Sequence, residues 1–115
     1  MILSSMKIRY EPLRSLAYTS LSSDYVAVGT PFVNPVRQIL ITNLTDANLI
    51  ISYNGVTAMD VVAANTGKVL DYSSNKADQA GVLEQDAGDR CYVMLEEAAA
   101  TTGNVYVTII YASNV

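Results

Sequence analysis

The side chains that most often carry out catalysis are nearly missing from this sequence. It contains no histidine and no tryptophan, and it has a single cysteine. Nucleophilic catalysis by serine needs an adjacent base, and histidine is the usual one. Lys76 could act on Ser73 or Ser74, but this stretch is polar, and a lysine there stays charged and solvated. The sequence therefore predicts that the protein is not an enzyme and has no catalytic residues.

Cys91 is the one residue with thiol chemistry, and its surroundings favour a structural role. It begins an alternating run in which it shares a face with Val93 and Leu95. A cysteine on an apolar strand face is typically a small buried core residue. A lone cysteine also cannot form an intramolecular disulfide, which fits folding in a reducing cytoplasm.

Three carboxylates in residues 84–89 would bind a metal ion only if their spacing allowed it. A calcium loop has oxygen ligands at alternate positions, glycine at the sixth position and glutamate at the twelfth. Counted from Glu84, Gly88 falls on a ligand position and the twelfth residue is Leu95. The spacing therefore predicts a solvated turn around Asp86 and Asp89, and we expect no metal or other cofactor.

Tyrosine is the residue type that points to contact surfaces, with eight tyrosines against one phenylalanine. Tyrosine combines apolar area with a hydroxyl group and is enriched at protein–protein interfaces. Alternating strands also carry tyrosine on their solvent-facing side, which explains most of the eight. Tyr10, near the N-terminus, and Tyr72, beside the polar stretch, stand out. The predicted interface comprises Ile8, Tyr10, Tyr72, Asn75 and Lys76.

Charge and hydropathy exclude two classes of partner. Seven Lys and Arg against eleven Asp and Glu give a formal net charge of −4. The basic residues are scattered singly, whereas a nucleic-acid-binding protein concentrates positive charge on one face. No apolar run approaches the ~20 residues that span a bilayer. Residues 1–7 carry their charge after their apolar residues, the reverse of a secretory signal. We therefore expect neither nucleic-acid nor membrane binding.

Alternation with a period of two predicts strands along most of the chain. In residues 105–111 every second residue is β-branched or aromatic and falls on one face. Residues 36–44 alternate in the same way, and their apolar centre, Ile39 to Ile41, predicts a central strand covered on each side. Further strands are predicted at residues 14–20, 25–29, 47–53, 56–63, 68–72, 82–84 and 91–96.

Turn signals predict how these strands connect. The short link Thr45–Asp46 predicts an antiparallel hairpin between residues 36–44 and 47–53. Asn54–Gly55 predicts a tight turn into the next strand, because both residues tolerate positive φ. Residues 73–81 are polar and predict a loop, and residues 97–102 predict a loop with one helical turn.

These patterns together predict one all-β domain. A chain of 115 residues that is half hydrophobic and 16% charged has the size and composition of a single folded domain. Regularly spaced short strands are typical of an antiparallel β-sandwich, and a jelly roll is one form that it could take. We expect the domain to occupy residues 14–115. Residues 1–13 form its first strand or an arm that pairs with a neighbouring subunit.

Several segments resemble small structural proteins of tailed bacteriophages. In residues 39–55 a strand ending in Asn leads into a second strand closed by an Asn-Gly turn, and residues 69–76 and 103–111 look like the rest of that pattern. The resemblance implies a virion component of the head, neck or tail, synthesised in the host cytoplasm. Its implied partners are other virion proteins such as capsid, portal or tail proteins. The resemblance supplies no catalytic residues.

Two functional hypotheses stay open at this point. The first is a virion structural protein that acts through protein–protein contacts, as a homo-oligomer or as repeated copies in a symmetric assembly. Its support is the apolar composition, because a small sandwich cannot hide so much apolar surface in its own core. The second is a carbohydrate-binding β-sandwich for host-surface recognition, against which the absence of tryptophan counts.

Overall fold

Alternating apolar residues build two antiparallel sheets, and the first and last strands lie side by side. The structure is a computed structural model that describes residues 7–72, 76–77, 81–82 and 84–113. A 3₁₀ turn covers Tyr18–Ser20, and no α-helix occurs in this part of the chain. The strands are β1 (Lys7–Tyr10), β2 (Arg14–Ala17), β3 (Val26–Ala27), β4 (Gln38–Asn43), β5 (Leu49–Ser52), β6 (Asp60–Val62), β7 (Thr66–Asp71), β8 (Lys76–Ala77), β9 (Gly81–Val82), β10 (Tyr92–Leu95) and β11 (Asn104–Ser113).

Sheet A has the order β1–β11–β4–β7, and β2 also pairs with β11. β2 lies along the first residues of β11 and β1 along the last, both on the side of β11 that does not face β4. These two strands therefore form one edge strand that is interrupted at residues 11–13. Sheet B has the order β3–β10–β5–β6, and β8 and β9 form a separate two-stranded hairpin.

The connections between strands define a jelly roll. With β1 and β2 counted as one strand, each connection crosses from one sheet to the other, except the β5–β6 hairpin. The β8–β9 hairpin lies within the crossing from β7 to β10. Eight strands in two four-stranded sheets wound in this way form the double Greek key of a jelly roll. The predicted all-β antiparallel sandwich is confirmed.

The core lies between the two sheets and follows the predicted alternation. In β4, and in β11 as far as Ile109, every second residue is fully buried, while the residues between them are half-buried. β5 and β10 supply the facing side, and Cys91 is fully buried beside them, as predicted. Each fully buried Val, Leu or Ile stabilises the fold by about 1.5–3 kcal/mol. The fully buried aliphatic residues of these four strands are Ile39, Ile41, Leu49, Ile51, Val93, Val105, Val107 and Ile109.

The predicted hairpin between residues 36–44 and 47–53 is wrong. β4 lies in sheet A and β5 in sheet B, so the link between them is a crossing from one sheet to the other. Each strand has one fully buried apolar face, and opposite sheets bury both faces against each other. The alternation shows which side of a strand is apolar, but it does not show which strand lies beside it.

Buried Asn43 holds this crossing in place. Its amide nitrogen donates to the carbonyl oxygens of Ala47 (2.9 Å) and Ala63 (3.1 Å). Its amide oxygen accepts hydrogen bonds from the backbone N–H and the hydroxyl of Thr45 (3.0 and 2.6 Å). The backbone groups that Asn43 contacts lie where the chain passes between the two sheets. Strand pairing does not supply their hydrogen-bond partners there, and the Asn43 side chain does.

Two predicted turns also differ from the structure. Only Gly55 of the Asn54–Gly55 pair has positive φ (74°), and β6 begins at Asp60, so residues 53–59 form a longer loop in place of a two-residue turn. The Asn54 side chain accounts for this, since its oxygen accepts the N–H groups of Val56 and Thr57 (2.8 and 2.9 Å). The predicted loop at residues 73–81 contains β8 and the first residue of β9.

Candidate interaction face on sheet A

The N-terminal segment forms the first strand of the domain itself. Lys7 to Tyr10 pairs antiparallel with the end of β11, with Ile8 opposite Ala112 and Tyr10 opposite Ile110. Of the two alternatives for residues 1–13, an arm or a first strand, the described residues of this segment adopt the strand. The register directs Ile8 and Tyr10 away from the core, and they are 69% and 65% exposed.

These two residues belong to a larger apolar surface on the outer side of sheet A. Leu40 of β4 pairs with Val69 of β7 on the same side. Ile110 of β11 lies opposite Tyr10 and diagonally from Leu40. Val69 is 59% exposed, and Leu40 and Ile110 are half-buried. With strands about 4.8 Å apart, this surface extends about 14 Å across the sheet. We call these five residues, Ile8, Tyr10, Leu40, Val69 and Ile110, the outer face.

A groove with a volume of about 300 Å³ lies where the outer face reaches the ends of β1 and β11. Among the described residues that line it, Lys7 and Arg37 are basic and none is acidic. The buried Nε of Arg37 has no hydrogen-bond partner among the described residues. The described lining residues are Lys7, Ile8, Tyr10, Arg37, Gln38, Ile110, Tyr111 and Ala112.

Of the remaining residues of the predicted interface, the structure describes the side chain of Tyr72, which packs on the core side. Tyr72 is half-buried, packs against the core and donates its hydroxyl to the Gln85 Oε1 atom (2.9 Å). Burial, together with the charge of Asp89, raises the pKa of Tyr72 above its usual value. Lys76 lies in β8, and Asn75 is outside the described residues.

Sequence reasoning missed three residues of the outer face, Leu40, Val69 and Ile110. The alternation could have identified these three residues, because each lies between two core-facing residues of its strand and is nevertheless apolar. The outer side of a sandwich strand is typically polar. Leu40 was instead predicted to be covered. The structure confirms that β4 is central, and it leaves Leu40 on the outer side of the sheet, half-buried.

The outer side of sheet B carries a second exposed apolar group around Met59 and Val61, each 48% exposed. These residues line a shallow depression with Ile50, Ala58 and Asp60. This group is confined to β5, β6 and the loop between them. The outer face of sheet A contains residues of four strands and borders the basic groove, so it is the stronger candidate for an interaction site.

A buried ion pair fixes the orientation of β1 beside this face. The Glu11 carboxylate, at the interruption between β1 and β2, accepts from the Arg14 guanidinium (2.8 Å), the Asn34 backbone N–H (2.8 Å) and its side-chain amide (2.9 Å). Arg14 also donates to the carbonyl oxygens of Thr30 (2.9 Å) and Pro31 (3.0 Å). The edge strand is thereby tied to the loop that precedes β4.

The charge of Glu11 is maintained in this buried position. Burial opposes ionisation, but the hydrogen bonds from Asn34, Arg14 and Val33 outweigh it and hold the pKa of Glu11 below its ordinary value. The carboxylate is saturated by its partners and serves to position the chain.

The other candidates for chemistry lie in unreactive settings. Burial raises the pKa of the Cys91 thiol to about 12, so it stays protonated at neutral pH. Glu84 and Asp86 are exposed near the turn at residues 86–89, and Asp89 accepts the Gln85 side-chain amide (3.2 Å). Within the described ranges, no group of three histidine, cysteine or carboxylate side chains is placed to hold a metal ion.

Comparison with known proteins does not indicate a function for this chain. No protein-family model matches the chain, and no curated protein matches it. In the described part of the chain, no helix has the length and apolar character needed to cross a membrane.

Proposed function

We propose that this protein is a structural component of a bacteriophage virion that acts through protein–protein contacts in a symmetric assembly. The observation that carries the proposal is the apolar outer face. It lies on the outward side of sheet A, where the strands of a sandwich in water typically carry polar residues. Contiguous exposed apolar surface marks interaction sites in folded proteins. Tyr10, in the edge strand of this face, is the residue type that often anchors such contacts.

The virion assignment is supported by the architecture together with the sequence resemblance. Jelly rolls occur in viral capsid proteins as well as in lectins. The resemblance to small structural proteins of tailed phages covers roughly residues 36–111, a range that includes β4 to β10 and most of β11. We expect the partners to be further copies of this chain and other virion proteins, such as capsid, portal or tail proteins.

Carbohydrate binding is the second candidate, and the groove is the observation that favours it. Tyr10 and Tyr111 supply aromatic surface there, and Gln38 supplies a donor and an acceptor. A concave site that combines apolar walls with a few polar groups is typical of small-ligand binding. A jelly-roll lectin that recognises a host surface would have this form.

The first test compares self-association of the wild-type protein with that of a variant of the outer face. Ile8→Asp/Tyr10→Asp places two charges in the apolar surface, and both positions are exposed, so the fold tolerates them. We expect the wild type to sediment as an oligomer in analytical ultracentrifugation and the variant as a monomer. Val56→Asp is the matched control, because Val56 is 80% exposed and lies in the β5–β6 loop.

The second test asks whether the protein is part of a particle. Immunogold labelling of phage particles from a lysate of the cells that encode this chain should place it at regular positions on the virion. If the wild-type protein is monomeric and absent from particles, the virion proposal is wrong. Binding to defined sugars on a glycan array would then support the carbohydrate alternative.

A further inference from the structure

Negative charge is concentrated at one end of the sandwich. Four loops meet there, and backbone hydrogen bonds join them, including Tyr18 N–H to the Gly103 carbonyl (3.0 Å) and Asn65 N–H to the Thr45 carbonyl (3.1 Å). The loops comprise residues 18–25, 44–48, 63–65 and 96–103. They contain no Lys or Arg and four carboxylates, so their formal charge equals the −4 of the whole chain. These carboxylates belong to Asp24, Asp46, Glu96 and Glu97.

The loop at residues 96–100, which we call the acidic loop, projects from this end. It reads Glu-Glu-Ala-Ala-Ala, and its first four residues are exposed. Both of its ends are held in place: the Glu96 N–H donates to the Asn48 carbonyl (3.1 Å), and the Thr101 N–H donates to the Asp46 carboxylate (2.8 Å). The acidic loop is therefore presented in one conformation, which reduces the entropy lost when it binds a partner.

The basic groove lies at the opposite end of the same strand. Lys7 pairs with Ser113, the last residue of β11, and the Arg37 N–H donates to the Ile110 carbonyl (2.9 Å). The acidic loop precedes the first residue of β11. From Asn104 to the groove residues Ile110 and Ala112, β11 spans roughly 20–26 Å, so the loop and the groove of one molecule lie too far apart to touch. Any contact between them joins two molecules.

We propose that the acidic loop of one copy binds in the basic groove of the next copy, head to tail. The inference rests on the proposed assembly function and names the partner of the groove. Carboxylates of Glu96 and Glu97 complement the positive charges of Lys7 and Arg37, which line the groove. The short alanine side chains that follow are small enough to enter a groove of about 300 Å³ walled by Ile8 and other apolar residues.

This contact limits the symmetry of the assembly. Loop and groove are different surfaces, so a contact that two copies make once is heterologous. Repeating it generates a closed ring when the rotation between copies closes and a helical filament when it does not. A two-fold dimer forms through this contact only if two copies lie antiparallel and each places its loop in the groove of the other.

Charge reversal on each side of the contact provides the test. Glu96→Lys/Glu97→Lys makes the loop basic, and Lys7→Glu/Arg37→Glu makes the groove acidic. We expect each variant alone to lose self-association by about tenfold or more in sedimentation velocity. An equimolar mixture of the two should recover it, since each groove then meets a loop of opposite charge. Glu84→Lys/Asp86→Lys is the control for the loop variant, with the same change in net charge at exposed residues outside the loop and the groove.

The outcomes separate this inference from the function on which it rests. Failure of the mixture to associate, with both variants folded by circular dichroism, would overturn head-to-tail docking. Unchanged association of either variant would do the same. The virion proposal survives both results if the Ile8→Asp/Tyr10→Asp variant is still monomeric. If the wild-type protein is a monomer but is found on particles, only head-to-tail docking is overturned. If it is a monomer and is absent from particles, both the docking and the virion proposal are overturned.

Discussion

At Gly103 the space for a side chain is already occupied by backbone. This residue has φ +93°, and a Cβ atom built on it would lie 2.0 Å from the Leu44 carbonyl oxygen. The contact joins the start of β11 to the corner between β4 and β5, where Leu44 N–H donates to the Asn104 carbonyl (2.9 Å). Glycine is therefore required here by space as well as by conformation.

Gly103→Ala should destabilise the protein by at least about 3 kcal/mol, because the corner must move to admit the methyl group. Urea unfolding followed by circular dichroism measures the change. Gly88→Ala is the matched control: Gly88 has nearly the same φ, +94°, but nothing lies within 4 Å of the added Cβ. We expect that control to lose only about 1–2 kcal/mol. Equal losses at both positions would show that the close approach to Leu44 is not the cause.

The pairing of Glu11 with Arg14 predicts how stability changes with pH. Folding lowers the pKa of the Glu11 carboxyl group below its unfolded value of 4.5. The ionised carboxylate therefore stabilises the protein at pH values above 4.5, and this stabilisation is lost as the pH falls through the lower pKa of the folded state. The free energy of unfolding should therefore decline as the pH falls below about 4.5.

Glu11→Gln removes this dependence and leaves the Arg14 charge without its buried partner. We expect a loss of about 3 kcal/mol at pH 7 and a shallower decline in acid, both measured by urea unfolding between pH 3 and about 7. The comparison variant is Asp60→Asn, which breaks the partly exposed pair with Lys68 and should cost under about 1 kcal/mol. A Glu11 variant with wild-type stability at pH 7 would contradict this account.

The sequence predicted the strands well at the scale of single elements because their signal is local. The alternation in β4 and β11 shows which residues face the core, and Cys91 falls on that side as expected. The partner of each strand is not a local property. Thr45–Asp46 has the composition of a hairpin turn, yet the chain crosses to the other sheet there, held by the buried side chain of Asn43.

The candidate site was predicted only in part, for a related reason. Ile8 and Tyr10 could be identified because they lie in an apolar segment outside the main strand pattern. Leu40 looked like a residue covered on both sides, since nothing in β4 itself shows whether another layer packs on it. Tyr72 looked exposed beside a polar stretch, but the geometry of β7 directs it to the core side, where Gln85 accepts its hydroxyl.

The whole molecule depends on pairings between distant parts of the chain. β1 and β2 pair with β11, and β11 also pairs with β4. Most residues that lie close in space are far apart in the sequence, so most of the contacts form only after long loops have closed.

Refolding should consequently be slow, on a scale of milliseconds to seconds, as for other folds dominated by non-local strand pairing. Stopped-flow dilution from urea, followed by tyrosine fluorescence, measures the rate, since the chain has eight tyrosines and no tryptophan. The main phase should also slow when Val107, buried in the centre of β11, is replaced by Ala. A main phase completed within microseconds would contradict this expectation.

The central place of β11 in sheet A also has a consequence for synthesis. Ribosomes make the chain from its N-terminus, at about 5–20 residues per second, so the strand that joins β1 and β2 to β4 emerges after the other strands. Until residue 113 has left the exit tunnel, β4 exposes an unpaired edge, and β1 and β2 have no partner within the sheet. For several seconds each nascent chain can pair with its neighbours on a polysome, so chaperone binding at that stage would govern the yield of folded protein.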